Sequence, residues 1–143
     1  MIFEQLEKNG WTLPLHRQNV VTWQDAYAVV NLATSAALDK YVSEGKYTLK
    51  EYDFVERDAK EWRAGGSIEA DAPESLLCSF ENDDDLLTIN DAAVEVEQAA
   101  ALYRQKSNKA RRIRMEARNA LRKSTTTDYL SVIQPYLTRA EDI

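Results

Sequence analysis

At 143 residues, 44% hydrophobic and 29% charged, the chain is one domain's worth and carries enough apolar material for a modest core without metal or disulfides. Four Gly and three Pro leave little turn material, which disfavours a many-stranded sandwich, and one Cys cannot staple the chain. A net charge of −6 and a pI of about 4.9 exclude a chain that is basic throughout, as general nucleic-acid binders are.

Residues 1–21 read as an N-terminal arm or cover segment and residues 22–143 as a helical bundle domain. The first nine residues carry charges every few positions, unlike a signal peptide. Ile2, Phe3 and Leu6 suit a short helix ended by Asn9-Gly10. Trp11-Thr12-Leu13-Pro14-Leu15 reads as extended, because proline disfavours a helical residue before it and lacks an amide donor. Trp11 and Leu13 then either cover the domain's own core or dock on a neighbouring subunit.

Thr22 with Asp25 three residues on resembles a capping box, and Trp23, Ala26, Tyr27, Val30, Ala33, Ala37 and Tyr41 follow at helical spacing. This helix is expected to end near Ser43, with Gly45 beyond. A Thr48-x-x-Glu51 box opens the second helix, with Tyr47 and Tyr52 placed as a hydrophobic staple. Its stripe is Tyr52, Val55, Ala59 and Trp62, while Lys50, Glu56, Asp58, Lys60 and Glu61 are expected in water. Gly65-Gly66 stops it. The short connection predicts that helices one and two are antiparallel neighbours.

Pro73 suits the first position of a short helix in which Leu76, Leu77 and Phe80 cover one end of the bundle. Cys78 reads as a small core residue, and Asn82-Asp83-Asp84-Asp85 as a solvated turn. From Thr88 to Lys123, apolar positions recur in alternating steps of three and four: Ile89, Ala92, Val96, Ala99, Tyr103, Ala110, Ile113, Ala117 and Ala120, interrupted by Lys106. That is the seam of one long helix, about 50 Å if continuous, with a possible break at Ser107-Asn108. Asp128 then caps a final short helix that Pro135 interrupts or ends. The expected fold is an all-α small helical bundle: an antiparallel helix pair packed on one long C-terminal helix.

Charge is segregated. Between Ala64 and Tyr103 there is no Lys or Arg, whereas nine basic residues face the single acid Glu116 between Arg104 and Lys123. Acids at the amino end of the long helix and bases at its carboxyl end suit the macrodipole. Arg104, Arg111, Arg118 and Arg122 fall on one stripe with Arg114 beside them. Such a stripe suits phosphates, a solvated face, this chain's own acids or an acidic partner. No aromatic residue interleaves with the arginines after Tyr103, as a single-strand stacking platform requires.

No reactive constellation stands out. The single His16 sits beside Arg17 with nothing to bring it to Cys78 or a serine. Phosphate-loop motifs are absent. Read as a calcium loop, the Asp83–Asp85 run puts Thr88 or Ile89 where a Gly must turn. No catalytic, cofactor-binding or metal-binding residue is therefore expected. The apolar stretch 26–38 is too short and too polar to insert in a membrane.

The run Tyr41…Tyr47-Thr48…Tyr52…Glu56…Ala59…Trp62…Gly65, then Pro73…Leu76-Leu77, Thr88…Ala92-Ala93…Ala99, Ile113-Arg114…Arg118…Leu121 and Thr125-Thr126-Thr127 resembles a small helical module of tailed bacteriophages, found in tail-fibre and baseplate-region proteins. The likeness spans residues 22–131; the Asp-rich turn departs from it, and residues 1–21 have no counterpart. It implies a non-enzymatic virion protein of the tail, a tail-fibre, baseplate-region or adaptor component made in the host cytoplasm. Its partners would be other phage tail proteins and further copies of itself. The residues themselves offer Trp11, Leu13, Arg104, Arg111, Arg114, Arg118 and Arg122 as interface candidates, and nucleic acid is not the expected partner. The alternatives are a small nucleic-acid-binding regulator using residues 104–123, or a tail assembly chaperone.

Overall fold

The computed structural model describes residues 20–42 and 47–143. Expectations for the first short helix, Trp11, Leu13, His16 and Gly45 lie outside the described residues. Among those described, the fold is all-α: α1 (Trp23–Asp39), α2 (Leu49–Ala64), a 3-10 turn (Glu69–Asp71), α3 (Glu74–Glu81), α4 (Ile89–Lys123) and α5 (Tyr129–Glu141). Helices α1, α2 and α3 pack against long α4.

The caps form largely where local chemistry places them. Thr22 Oγ1 accepts the Asp25 amide at 3.2 Å, and Asp25 Oδ2 accepts the Thr22 and Val21 amides at 3.0 Å each. The same device opens α4, where Thr88 Oγ1 accepts the Asp91 amide at 3.1 Å and Asp91 Oδ2 accepts the Thr88 and Leu87 amides at 3.0 and 3.1 Å. Each box satisfies amides that the first helical turn leaves without partners. Thr48 holds the Glu51 amide at 3.3 Å, and the Tyr47–Tyr52 staple forms with ring centroids 5.3 Å apart. The end of α2 is a Schellman motif: the Ser67 amide reaches the Trp62 carbonyl and the Gly66 amide reaches that of Arg63. Gly66 sits at φ +95°, where a Cβ would be strained.

By contact, the chain divides into two compact units, Met1–Lys40 with Lys106–Ile143, and Tyr41–Gln105. In the first, α1 and α5 pack along each other. Ala26, Val29, Val30 and Ala33 of α1 are buried, as are Ala110, Ile113, Ala117 and Leu121 of α4 and Ile133, Leu137 and Ala140 of α5. In the second, Tyr52, Val55, Ala59 and Trp62 of α2 share a core with Leu76 of α3 and with Ile89, Ala92, Ala93, Val96 and Ala100 of α4. Fully burying a leucine such as Leu76 or Leu121 contributes roughly 1.5–3 kcal/mol. In this unit α2 runs antiparallel to α4, since Arg63 pairs with Glu97 and Glu56 with Arg104.

Several expectations are corrected. Helix α1 ends at Asp39, short of Ser43. Pro73 occupies the position before α3 rather than its first residue. Cys78 is exposed, because α3 turns Leu76, Leu77 and Phe80 inward and leaves position 78 on its outer side. Helix α5 runs through Pro135 to Glu141, since Ile133, Leu137 and Ala140 supply buried contacts on both sides of the proline. Helix α4 is unbroken at Ser107-Asn108. Six of the nine seam residues, Ile89, Ala92, Val96, Ala110, Ile113 and Ala117, are buried as expected, whereas Ala99, Tyr103 and Ala120 are only half-buried and Ala93, Ala100 and Leu121 are buried beside the seam. A repeat of three and four drifts about 20° per heptad on a straight helix. Burial in α4 therefore falls in two patches, 89–100 and 110–121, and no residue from 101 to 109 is buried.

Candidate docking surfaces

The five arginines that the sequence places on or beside one stripe have different surroundings. Arg104 reaches Glu56 of α2, with Nη1 and Nη2 at 2.9 and 2.7 Å from Oε1 and Nη2 at 2.5 Å from Oε2. Lys60 Nζ also donates to Glu56 Oε1 at 2.8 Å. Glu56, expected in water, is buried beneath these cations. The positions 52, 55, 56 and 59 follow the i, i+3, i+4, i+7 rule, so Glu56 belongs to the inward face of α2. Its charge is what misleads: a carboxylate is kept out of a core unless paired, and the partner lies 48 residues away.

Arg114 and Arg118 are also engaged. Thr34 is fully buried in α1, its hydroxyl donating to the Val30 carbonyl at 3.0 Å and its oxygen accepting from Arg114 Nη1 at 3.4 Å. The Arg118 guanidinium lies over the Trp23 ring, 5.8 Å from its centroid, in cation–π geometry. Arg112 and Arg139 flank Glu116 at 3.6 and 2.5 Å. The Arg139 hydrogen bond first, then the charges of Arg139 and Arg112, hold the Glu116 carboxyl below the usual carboxylate range.

Arg111 and Arg122 remain exposed, and among the described residues neither meets a carboxylate. Between them on the same helix, Met115 is 43% exposed. Sequence reasoning passed over Met115, although the spacing 111, 115, 118, 122 puts it among the arginines. The interface candidates Trp11 and Leu13 lie outside the described residues.

At the carboxyl end of α2 a cleft of about 270 Å³ is lined by Asp58, Glu61, Trp62, Gly65, Ile68, Asp71 and Pro73. The indole Nε1 of Trp62 donates to the Ile68 carbonyl at 2.8 Å, pinning the turn that forms the wall. Ser75 Oγ donates to Asp58 at 2.9 Å, while Glu61 and Asp71 are exposed and Ile68 is 53% exposed. Three apolar side chains, exposed Ile68, half-buried Pro73 and the edge of buried Trp62, thus lie among carboxylates. The signal for this cleft was the Gly65-Gly66 stop, which forces the chain back over Trp62.

The Asp-rich turn is held by its own backbone, with Asp83 Oδ1 accepting the Asp85 amide at 2.9 Å. Among the described residues no three His, Cys, Asp or Glu side chains converge as metal ligands, and no helix is long and apolar enough to cross a membrane. Charge divides by unit. Met1–Lys40 with Lys106–Ile143 holds twelve Lys and Arg against eight Asp and Glu, net +4, and Tyr41–Gln105 holds six against sixteen, net −10. Comparison with family models, with curated proteins and with solved structures finds no match to this chain.

Proposed function

We propose that this chain is a non-enzymatic structural protein of a bacteriophage tail, a tail-fibre, baseplate-region or adaptor component of the virion that works by docking other tail proteins and further copies of itself. The phage assignment rests on the resemblance of residues 22–131. One observation carries the docking role: after both cores are built, α4 still turns Arg111, Met115 and Arg122 outward. A half-exposed methionine between arginines that meet no carboxylate among the described residues is contact surface left over from folding, of the composition found in interfaces.

The same geometry weighs against a nucleic-acid regulator. Affinity for a phosphate backbone grows with the number of phosphates neutralised. Arg104, Arg114 and Arg118 are already engaged with Glu56, Thr34 and Trp23. The unit Tyr41–Gln105, at −10, repels a polyanion.

Mass spectrometry of purified particles, with affinity capture of co-encoded tail proteins on the full chain, tests the assignment. The chain is expected in the particle and in complex with a tail protein. Absence from particles together with no captured tail protein would refute it; capture without residence would mark an assembly chaperone.

A further inference from the structure

Two outward surfaces of this protein are complementary in both charge and apolar content. One is the face of α4 formed by Arg111, Met115 and Arg122, in the unit of net charge +4. The other is the cleft at the end of α2, in the unit of net charge −10, where Glu61 and Asp71 border Trp62 and Ile68. Among the described residues, the unpaired charges beside each apolar centre have a single sign: Arg111 and Arg122 on α4, where Glu116 is taken up by Arg139 and Arg112, and Glu61 and Asp71 at the cleft, where Asp58 is held by Ser75 and lies 3.9 Å from Arg57. Two copies of either surface brought face to face would set like charges against each other, which is costly and selects against that pairing. Opposite surfaces would pair arginine with carboxylate at the rim and set Met115 against Ile68 and Trp62 at the centre.

We propose that the Arg111–Met115–Arg122 face of one copy docks on the Glu61–Asp71 cleft of a second copy. The contact joins two different patches. A copy that has used its basic face therefore still offers its acidic cleft, and the assembly closes reciprocally in a pair or a ring or runs on as a filament. This deepens the docking role proposed above and rests on it only in taking the chain to work by contact.

Sedimentation velocity on the full-length chain, at low and high salt, reads the contact. The variants are Arg111→Gln/Arg122→Gln, which blocks the basic face, and Glu61→Gln/Asp71→Asn, which blocks the cleft. All four positions are exposed, so helicity by circular dichroism is expected to stay unchanged. The wild type self-associates, and high salt weakens it. Each variant alone self-associates about two- to thirtyfold more weakly, as expected for losing two rim charge contacts. Mixing the two variants restores association, because each supplies the surface the other lacks.

A wild type that stays monomeric at low salt overturns the inference, as does a mixture that associates no better than its components. Salt-sensitive binding of a labelled DNA duplex by a monomer, lost in Arg111→Gln/Arg122→Gln, assigns the face to nucleic acid and overturns it too. A monomer that still captures a tail protein leaves the proposed function standing. A self-associating chain missing from particles removes the proposed function and leaves this contact.

Discussion

Arg104 decides how much of the basic stripe is spent inside the molecule, and a double-mutant cycle with Glu56 measures it. The two side chains are unequal: the Glu56 side chain is 12% exposed and that of Arg104 is 55% exposed. Arg104→Met removes the guanidinium but keeps an apolar stem, leaving a nearly buried carboxylate with Lys60 as its remaining cation. Breaking a fully buried pair costs about 3–5 kcal/mol and an exposed one about 0.2–1. With one exposed partner and a second cation present, about 1.5–2 kcal/mol is expected. Glu56→Leu should cost less, about 0.5–1 kcal/mol, because a half-exposed guanidinium regains water. The double variant removes the stranded charge, so the coupling should be about 1–1.5 kcal/mol. Urea unfolding followed by Trp62 fluorescence, in a Trp11→Phe/Trp23→Phe background, reports on this core alone. A coupling below about 0.3 kcal/mol would refute the pairing and return Arg104 to the surface available to partners.

Two further predictions concern single positions on the helices. Pro135→Ala should stabilise the chain by about 1–2 kcal/mol, since an interior proline costs about 3 kcal/mol against alanine while its loss frees the unfolded chain by up to about 1. Thermal melting should show a rise of a few degrees, and no rise would mean that the helix stops at the proline. Stability should also fall as pH drops below about 4. Amides of Thr22 and Val21 hold the Asp25 carboxyl below its ordinary range, and Arg139 and Arg112 do the same for Glu116. A depressed folded-state pKa gives stability that is present above the unfolded value and lost as pH falls through the folded one. Asp25→Asn/Glu116→Gln should flatten the acid limb of melting temperature against pH; an unchanged limb would remove these two groups from the account.

Local chemistry was the legible part of the fold. Thr22, Thr48, Thr88 and Asp128 all cap helices, because a capping oxygen needs only residues three positions away. The Tyr47–Tyr52 staple and the Gly65-Gly66 stop were readable for the same reason. What needed a distant partner was not. Glu56 looked wet because nothing nearby in sequence announced Arg104, and the arginine stripe looked uniform because Thr34 and Trp23 lie on another helix. Tyr52 carries both kinds of information. Its staple partner is local, but it also stacks on Tyr103 at 5.6 Å and donates its hydroxyl to the Tyr41 carbonyl at 3.2 Å, and burial pushes that hydroxyl's pKa up. Pro135 breaks a helix by its own propensity, and the buried contacts of Ile133, Leu137 and Ala140 on either side hold α5 through it.

The nine residues of α4 from 101 to 109 stay helical although none of them is buried. Ser107 and Asn108 are weak helix formers, and an isolated segment this short would melt in water. Its amides should exchange hydrogen for deuterium by brief openings of single turns, far sooner than those beside Val96 or Ile113, whose release requires a core to come apart. The middle of the longest element is thus tied down by side chains alone, the Tyr103 ring on Tyr52 and the Arg104 guanidinium on Glu56, with no core beneath its backbone.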